Sequence, residues 1–387
     1  MALKKIDASI WPLAMIYITS AVLRSIPTLI VGGIPFWDPY VYLGLIRSNP
    51  SFVEVGGYFP YYHLYVVFFY KATHIDPMIF IRFLPAFTDS LAVIVMYYVA
   101  DFLWGSERAG MRAALLFAVT DITVLRQSYS ISEGFSLIFY AGLWLGMMGF
   151  VRRPDRRYLI LFILMLYTLG GTHGLPLGIF FPTSVIACLL EGLKNRQLNV
   201  LAAASTIVFA FWLTQSYYSL FVLDYLRSLQ QLMTSQIVAS PSHVTGQYIV
   251  TPKSRTQFIA EHSSTLLVAS LAFISAIELA YQIKSRRRIN IDPAKTVIFS
   301  TALVTSLFLG VNVFMDMKSV SGGYASAYRA WLPLAQILIL LAAKPLSSIE
   351  YIHPRFGKLI LICIFAASAA STFLFIENYV SDFPHLK

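Results

Sequence analysis

Long apolar runs recur from one end of the chain to the other with few charges inside them, and they constrain the fold more than any other feature. A helix needs about 20 consecutive apolar residues to cross the hydrocarbon core, with every backbone polar group paired inside the segment. About eleven runs reach or approach that length, at 9–31, 83–103, 110–126, 133–151, 158–172, 174–191, 199–221, 264–284, 296–314, 328–343 and 357–377. Those at 158–172 and 328–343 are short and fit re-entrant or broken helices. Segment 61–72 (YYHLYVVFFYKA) is too short to span and reads as an interfacial helix lying on the membrane. Strand-like alternation is absent, which argues against a barrel. The expectation is an all-α integral membrane protein, one polytopic domain over residues 1–387.

Composition agrees. Of the 387 residues 57% are hydrophobic and only 12% charged, against about 25% charged in soluble domains. Mean hydropathy is +0.68. Cys188 and Cys363 both lie inside apolar runs, so neither a disulfide framework nor a zinc pattern is expected. The first apolar run is too long, and lacks a convincing small-residue cleavage site, for a cleavable signal peptide.

The net charge of +10 suggests a nucleic-acid partner until its distribution is read. RRPDRR at 152–157 and KSRRR at 284–288 fall on one side of the predicted spans, as do Lys4, Lys5, Arg108, Arg112, Lys194, Arg196, Lys344, Arg355 and Lys358. The positive-inside rule makes that side cytoplasmic. The basic clusters are then topological, and no nucleic acid is expected as a partner. The N-terminus falls in the cytoplasm and the C-terminus on the opposite side. The membrane is the plasma membrane or its endoplasmic-reticulum equivalent. Two long loops, about 32–82 and 222–263, face away from the cytoplasm, rich in Tyr, Phe, Pro and Gly. Long loops in a compact fold are usually functional.

Four charges fall on that outer side in four separate segments: Asp38 in GGIPFWDPYVYLGLIRS, Glu133 in RQSYSISEGFSLIFY, Glu261 in TPKSRTQFIAEHSSTLL and Arg329 in SGGYASAYRAWLPL. Charge near hydrocarbon is expensive and usually faces a cavity with a function. Each also has a plain structural reading. Asp38 fits an N-cap ahead of Pro39, and Glu133 and Glu261 suit the first turn of a helix. Arg329 could anchor the far interface, although an outward Arg in an apolar helix also suits a phosphate or diphosphate. Arg24, inside the first run, either snorkels outward or pairs with a buried acid or a lipid phosphate. His262 beside Glu261 is a proton carrier, a metal ligand or an interfacial polar group. Asp121 and Arg126 fit a plain interfacial ion pair, and His63, His74 and His173 structural hydrogen bonding. No phosphate-binding loop, dinucleotide fingerprint or nucleophile elbow occurs.

The order of these motifs resembles the GT-C class of membrane glycosyltransferases, and within it the catalytic subunit of oligosaccharyltransferase. LRSIPTLIVGGIPFWDPYVYLGLIRS is similar to that family's first helix and first acidic motif. GMRAALLFAVTDITVLRQSYSISEGFSLIF is similar to its third helix running into the second acidic motif. TQFIAEHSS resembles its fifth-loop motif, with Ile259, Ala260 and Glu261 in place, and SGGYASAYRAWLPLAQILILLA resembles the late helix supplying an arginine near the lipid diphosphate.

The resemblance implies a GT-C-type fold and the transfer of a sugar or oligosaccharide from a polyprenyl (dolichyl-type) phosphate or diphosphate donor, with inversion. The acceptor is an extracytoplasmic glycan, lipid or protein, and membrane lipids surround the site. It implies a divalent metal, magnesium or manganese, held by Asp38, Glu133 and Glu261, with Asp38 and Glu261 catalytic. Arg329, Tyr328, Arg24 and His262 would bind substrate. Two departures stand out. The second motif keeps one acid, Glu133, where the family commonly has two acidic or acid/His positions. The family's soluble C-terminal domain, with its Trp-Trp-Asp motif, is not expected after ENYVSDFPHLK. Two other readings stay open: a transporter or flippase of a polyprenyl-linked or anionic substrate, and a non-catalytic homologue in a glycosylation complex.

Overall fold

The computed structural model describes residues 2–31, 43–44, 47, 60–121, 123–124, 132–191, 194–234, 259–260, 262–284, 292–317 and 327–382. Among them there are thirteen helices and no strand: α1 (Ala2–Val31), α2 (Pro60–Thr73), α3 (Pro77–Trp104), α4 (Glu107–Val119), α5 (Ser132–Arg152), α6 (Arg156–Thr172), α7 (Gly174–Leu190), α8 (Arg196–Leu213), α9 (Ser216–Thr234), α10 (Ser263–Lys284), α11 (Pro293–Met317), α12 (Ala327–Ile352) and α13 (Pro354–Asp382). Eight helices, α1, α3, α5, α8 and α10 to α13, are long and apolar enough to cross a membrane, and Leu177–Leu190 is a shorter apolar stretch.

Where the helices depart from the expected spans, local signals explain it. The run at 110–126 is interrupted after Val119, with Asp121, Thr123 and Val124 helical again beyond Thr120. Thr120 turns extended (φ −66°, ψ 130°), its N–H still bonded to the carbonyl of Leu116. The run at 199–221 breaks at Thr214 and Gln215 into α8 and α9. The helix expected at 83–103 starts earlier because Asp76 caps it, accepting from the Met78 N–H, with Pro77 at the first position, where a missing N–H costs nothing. It stops at Gly105, which takes the left-handed conformation (φ 62°) and bonds back to Asp101. The helix expected at 328–343 runs on to Ile352 through Pro333 and Pro345. Segment 61–72 is helical, as expected.

The packing is that of a bundle in lipid. α1 turns Trp11, Met15, Ile18, Val22 and Leu29 outward and Leu13, Ser20, Ala21, Arg24 and Thr28 inward. α5 is the central helix, with Tyr140, Trp144 and Met147 buried, and their rings stack edge-on with Phe180 of α7. α6 lies close against α5 because Gly142, Gly146 and Gly149 form a stripe of small residues facing Met165, Phe162 and Tyr158.

Arg108, Arg112, Arg152 and Lys344 share one end. Arg152 at the end of α5 pairs with Asp292 before α11 at 2.6 Å and donates to the carbonyl of Leu103 at the end of α3. Arg112 of α4 pairs with Glu350 of α12, Lys344 of α12 with Glu278 of α10, and Arg108 covers the ring of Tyr351. Thr296 of α11 donates to Glu191 beyond α7. The opposite helix ends therefore form a second face.

Candidate functional site at the opposite face

Two buried polar nodes hold the helix ends on this second face. The first is built on Arg24, only 1% exposed. Nη1 donates to Ser20 Oγ at 2.6 Å and to the Ala118 carbonyl at 3.1 Å, and Nη2 donates to the Phe117 carbonyl at 3.1 Å. The guanidinium also lies over the Phe117 ring, 5.6 Å from its centroid. Phe117 and Ala118 belong to the last turn of α4, where carbonyls lack partners along the helix and where a cation meets the negative end of the helix dipole. Asp89 of α3, fully buried, attracts Arg24 electrostatically, and the hydroxyls of Ser20 and Ser90 bond at 2.9 Å. Of the alternatives open to Arg24, outward snorkelling does not occur: the guanidinium is buried, bonds to Ser20 and the end of α4, and lies in the field of the buried Asp89.

The second node is Asp121, just beyond α4 and 0% exposed. Its carboxylate accepts from the Thr265 hydroxyl, from the Thr265 N–H at 3.5 Å and from Ser371 Oγ at 3.2 Å. Its own N–H donates to Ser264 Oγ at 2.9 Å. Thr123 steadies the turn, its hydroxyl donating to the carbonyls of Phe117 and Thr120 at 2.7 Å. Ser263 donates to the carbonyl of Ala260 at 3.0 Å and to that of Ala367 at 3.4 Å. The end of α4, the start of α10 and the middle of α13 are thereby tied at one point. Asp121 is buried among hydroxyls, where Thr265 and Ser371 from distant segments meet it; the expected ion pair with Arg126 falls outside the described residues. A crevice lined by Leu23, Ile26, Phe365 and Thr372 opens beside this node between α1 and α13.

The other predicted residues distribute as follows. Glu133 falls in the first turn of α5, and Tyr328 and Arg329 in the first turn of α12. Asp38 and Glu261 lie outside the described residues. Glu261 is bracketed by Ala260 and His262, and the His262 carbonyl accepts from the Leu266 N–H at 2.9 Å, so His262 stands where α10 begins. His74 takes the left-handed conformation (φ 56°) and closes α2, its N–H bonded to the Tyr70 carbonyl at 2.8 Å. His173 is buried between α6 and α7, its N–H bonded to the Leu169 carbonyl at 2.9 Å. Burial pushes the Tyr65 phenol of α2 up to about 12, so it stays protonated at neutral pH. Among the described residues no three His, Cys, Asp or Glu side chains converge as metal ligands. The donors the sequence offers an ion, Asp38, Glu133 and Glu261, are all carboxylates, a set that suits a hard cation such as magnesium or manganese.

Sequence reasoning passed over Asp89. The signal was present: an acid inside the apolar run at 83–103 is as anomalous as Arg24. The hydroxyls of Thr265 and Ser371 gave no comparable signal, since Ser and Thr are common in membrane helices and back-bond to their own turn.

No family model matches the chain, and no curated protein matches it in sequence. Its fold has solved counterparts. The crystal structure of the Archaeoglobus fulgidus oligosaccharyltransferase in the apo form superposes with a TM-score of 0.55 and 12% identity, over 93% of this chain and 56% of that one. The same enzyme in complex with zinc and sulfate gives 0.56 and 15% identity, over 95% of this chain and 53% of that one. The chain thus spans about half the length of the enzyme it resembles. At this identity the likeness concerns architecture alone: the chain shares the all-α membrane fold of the matched part of that enzyme.

Proposed function

We propose that the protein is a GT-C-type glycosyltransferase that moves a sugar or oligosaccharide from a polyprenyl phosphate or diphosphate donor to an extracytoplasmic acceptor, with inversion. The observation that carries this reading is the Asp121 node. It joins the helix leading toward the second acidic motif to the helix that follows the third, so α4 and α10 meet at one point of the outer face. In this reading the basic end is cytoplasmic, the N-terminus lies there, and the donor headgroup sits at the opposite face.

The residues then have separate tasks. Arg329, at the positive end of α12, binds the donor phosphate, with Tyr328 beside it. Asp38 and Glu261 hold and orient the acceptor. His262 lies next to Glu261 as a hydrogen-bonding group. Arg24 keeps the end of α4 in place from within the membrane. Asp38, Glu133 and Glu261 would hold a magnesium or manganese ion, and the Archaeoglobus enzyme crystallised with zinc and sulfate gives precedent for a cation and a tetrahedral anion in this fold. Such an ion stabilises charge on the departing phosphate.

The test is direct. Purified protein in nanodiscs, given polyprenyl-linked sugars, manganese and a lipid and peptide extract, should release lipid phosphate or diphosphate detectable by mass spectrometry. Asp38→Ala and Glu261→Ala should each lower release at least about 100-fold, as expected when a charge-stabilising or positioning group is lost. Full activity in the double variant would end this reading. The buried Arg24 and Asp89 pair favours one alternative, since transporters place charges within their spans. Donor translocation between leaflets without bond cleavage would establish it.

A further inference from the structure

We propose that Asp121 is a positioning residue for the proposed transfer reaction, one that fixes the segment carrying Glu261 by clamping the first turn of α10. The inference rests on the functional reading above. Asp121 is not among the residues that would touch substrate or metal. It makes four described hydrogen bonds: its N–H donates to Ser264, and its carboxylate accepts two from Thr265 and one from Ser371, Ser264 and Thr265 following Glu261 by three and four residues.

This geometry is unusual for a helix start. α10 carries no acidic side chain in its first turn. The orphan N–H of Thr265 is instead met by a carboxylate from a different helix end, 144 residues earlier in the chain. Ser263 adds two main-chain anchors, to Ala260 on the near side of Glu261 and to Ala367 of α13. Ala260 is thus tied to the first residue of α10, and that first turn is pinned to groups outside the helix. The same carboxylate is pinned in turn by Ser371 and by the turn that Arg24 and Thr123 hold. The start of α10, two residues beyond Glu261 in the chain, is therefore set by α4 and α13. A carboxylate that holds a functional segment without touching the reacting groups behaves like the outer partners of metal ligands, whose loss typically changes metal affinity by about 10–100-fold.

Two measurements test this. In transfer assays, Asp121→Asn and Thr265→Val should raise the manganese concentration for half-maximal rate by about tenfold, and saturating manganese should restore most of the rate. A purely structural role would lower the yield of folded protein and leave the metal dependence unchanged, and that outcome overturns the proposal. The second measurement is independent of activity. A spin label at Ile259→Cys, an exposed position, on a Cys188→Ser and Cys363→Ser background should become more mobile in Asp121→Asn. Should Asp121→Asn fail to fold, Ser371→Ala and Thr265→Val each remove a single side-chain contact and should show the same trend more weakly. Unchanged mobility in the variants overturns the clamp. Increased mobility in a protein that transfers no sugar would leave the clamp standing and count against the transferase reading alone.

Discussion

A guanidinium inside a membrane helix is tolerated only when most of its donors are satisfied, and Arg24 meets that condition with the orphan carbonyls of α4, Ser20 and the charge of Asp89. Removing one member of such a set leaves the others uncompensated. Arg24→Met should destabilise the protein by about 3–5 kcal/mol, because the buried Asp89 would lose its neighbouring cation and the Ala118 carbonyl its side-chain donor, although the Phe117 carbonyl keeps Thr123. Arg24→Met combined with Asp89→Asn should recover a large part of that loss. Thermal unfolding in detergent, followed by size-exclusion fluorescence, reads both. A double variant no more stable than Arg24→Met would mean that Asp89 contributes little to holding Arg24. The sequence announced Arg24 as anomalous but could not choose among its partners, since Phe117, Ala118 and Asp89 lie on other helices.

At the scale of elements, close approach and capping decide where helices lie and start. A Cβ on Gly146 would stand 2.7 Å from the backbone nitrogen of Phe162 and 2.9 Å from its Cα. Backbone cannot move aside as a flexible side chain can, so α5 and α6 must separate. Gly146→Leu should lower stability by about 1–3 kcal/mol or more, whereas Leu164→Ala, on the exposed face of α6, should have little effect in the same melts. Asp76 governs the start of α3. Donation from the Met78 N–H, and then pairing with Arg47 at 3.0 Å, hold its carboxyl below the usual carboxylate range. A depressed folded-state value means the contribution is present above the unfolded value of about 4 and is lost as pH falls through the folded one. Asp76→Ala should therefore melt below the parent at pH 7 and approach it as pH falls below the usual carboxylate range. A constant difference across that range would show that the carboxylate charge plays no part. The Asp-Pro pair at 76–77 made this boundary legible in the sequence, although the expected span began six residues later, at 83, because only apolar content was weighed there.

At the scale of the whole molecule, the basic end and the polar-node end define two faces. Arg152 with Asp292, Arg112 with Glu350 and Lys344 with Glu278 gather one set of helix ends, and Asp121 gathers another. A membrane-impermeant maleimide should therefore label Cys introduced at Arg157 and at Ile259 from opposite sides of a sealed vesicle, on a background lacking Cys363. Labelling of both from one side would refute the assigned topology.

By itself the sequence determined that this chain lives in a bilayer as helices, because apolar run length and the need to pair backbone groups leave few other solutions. Its basic clusters, and the ordered set of acids with Arg329, raised the expectation of two opposite faces. Only the tertiary structure decided where apolar runs become helices that end early or break, as at Val119 and at Thr214, since hydropathy averages over such turns. It alone showed that Arg24 closes α4 and that Asp121 receives Thr265 and Ser371. Those bonds join residues 93 to 250 positions apart, and no local pattern can encode a contact that exists only once the helices have packed.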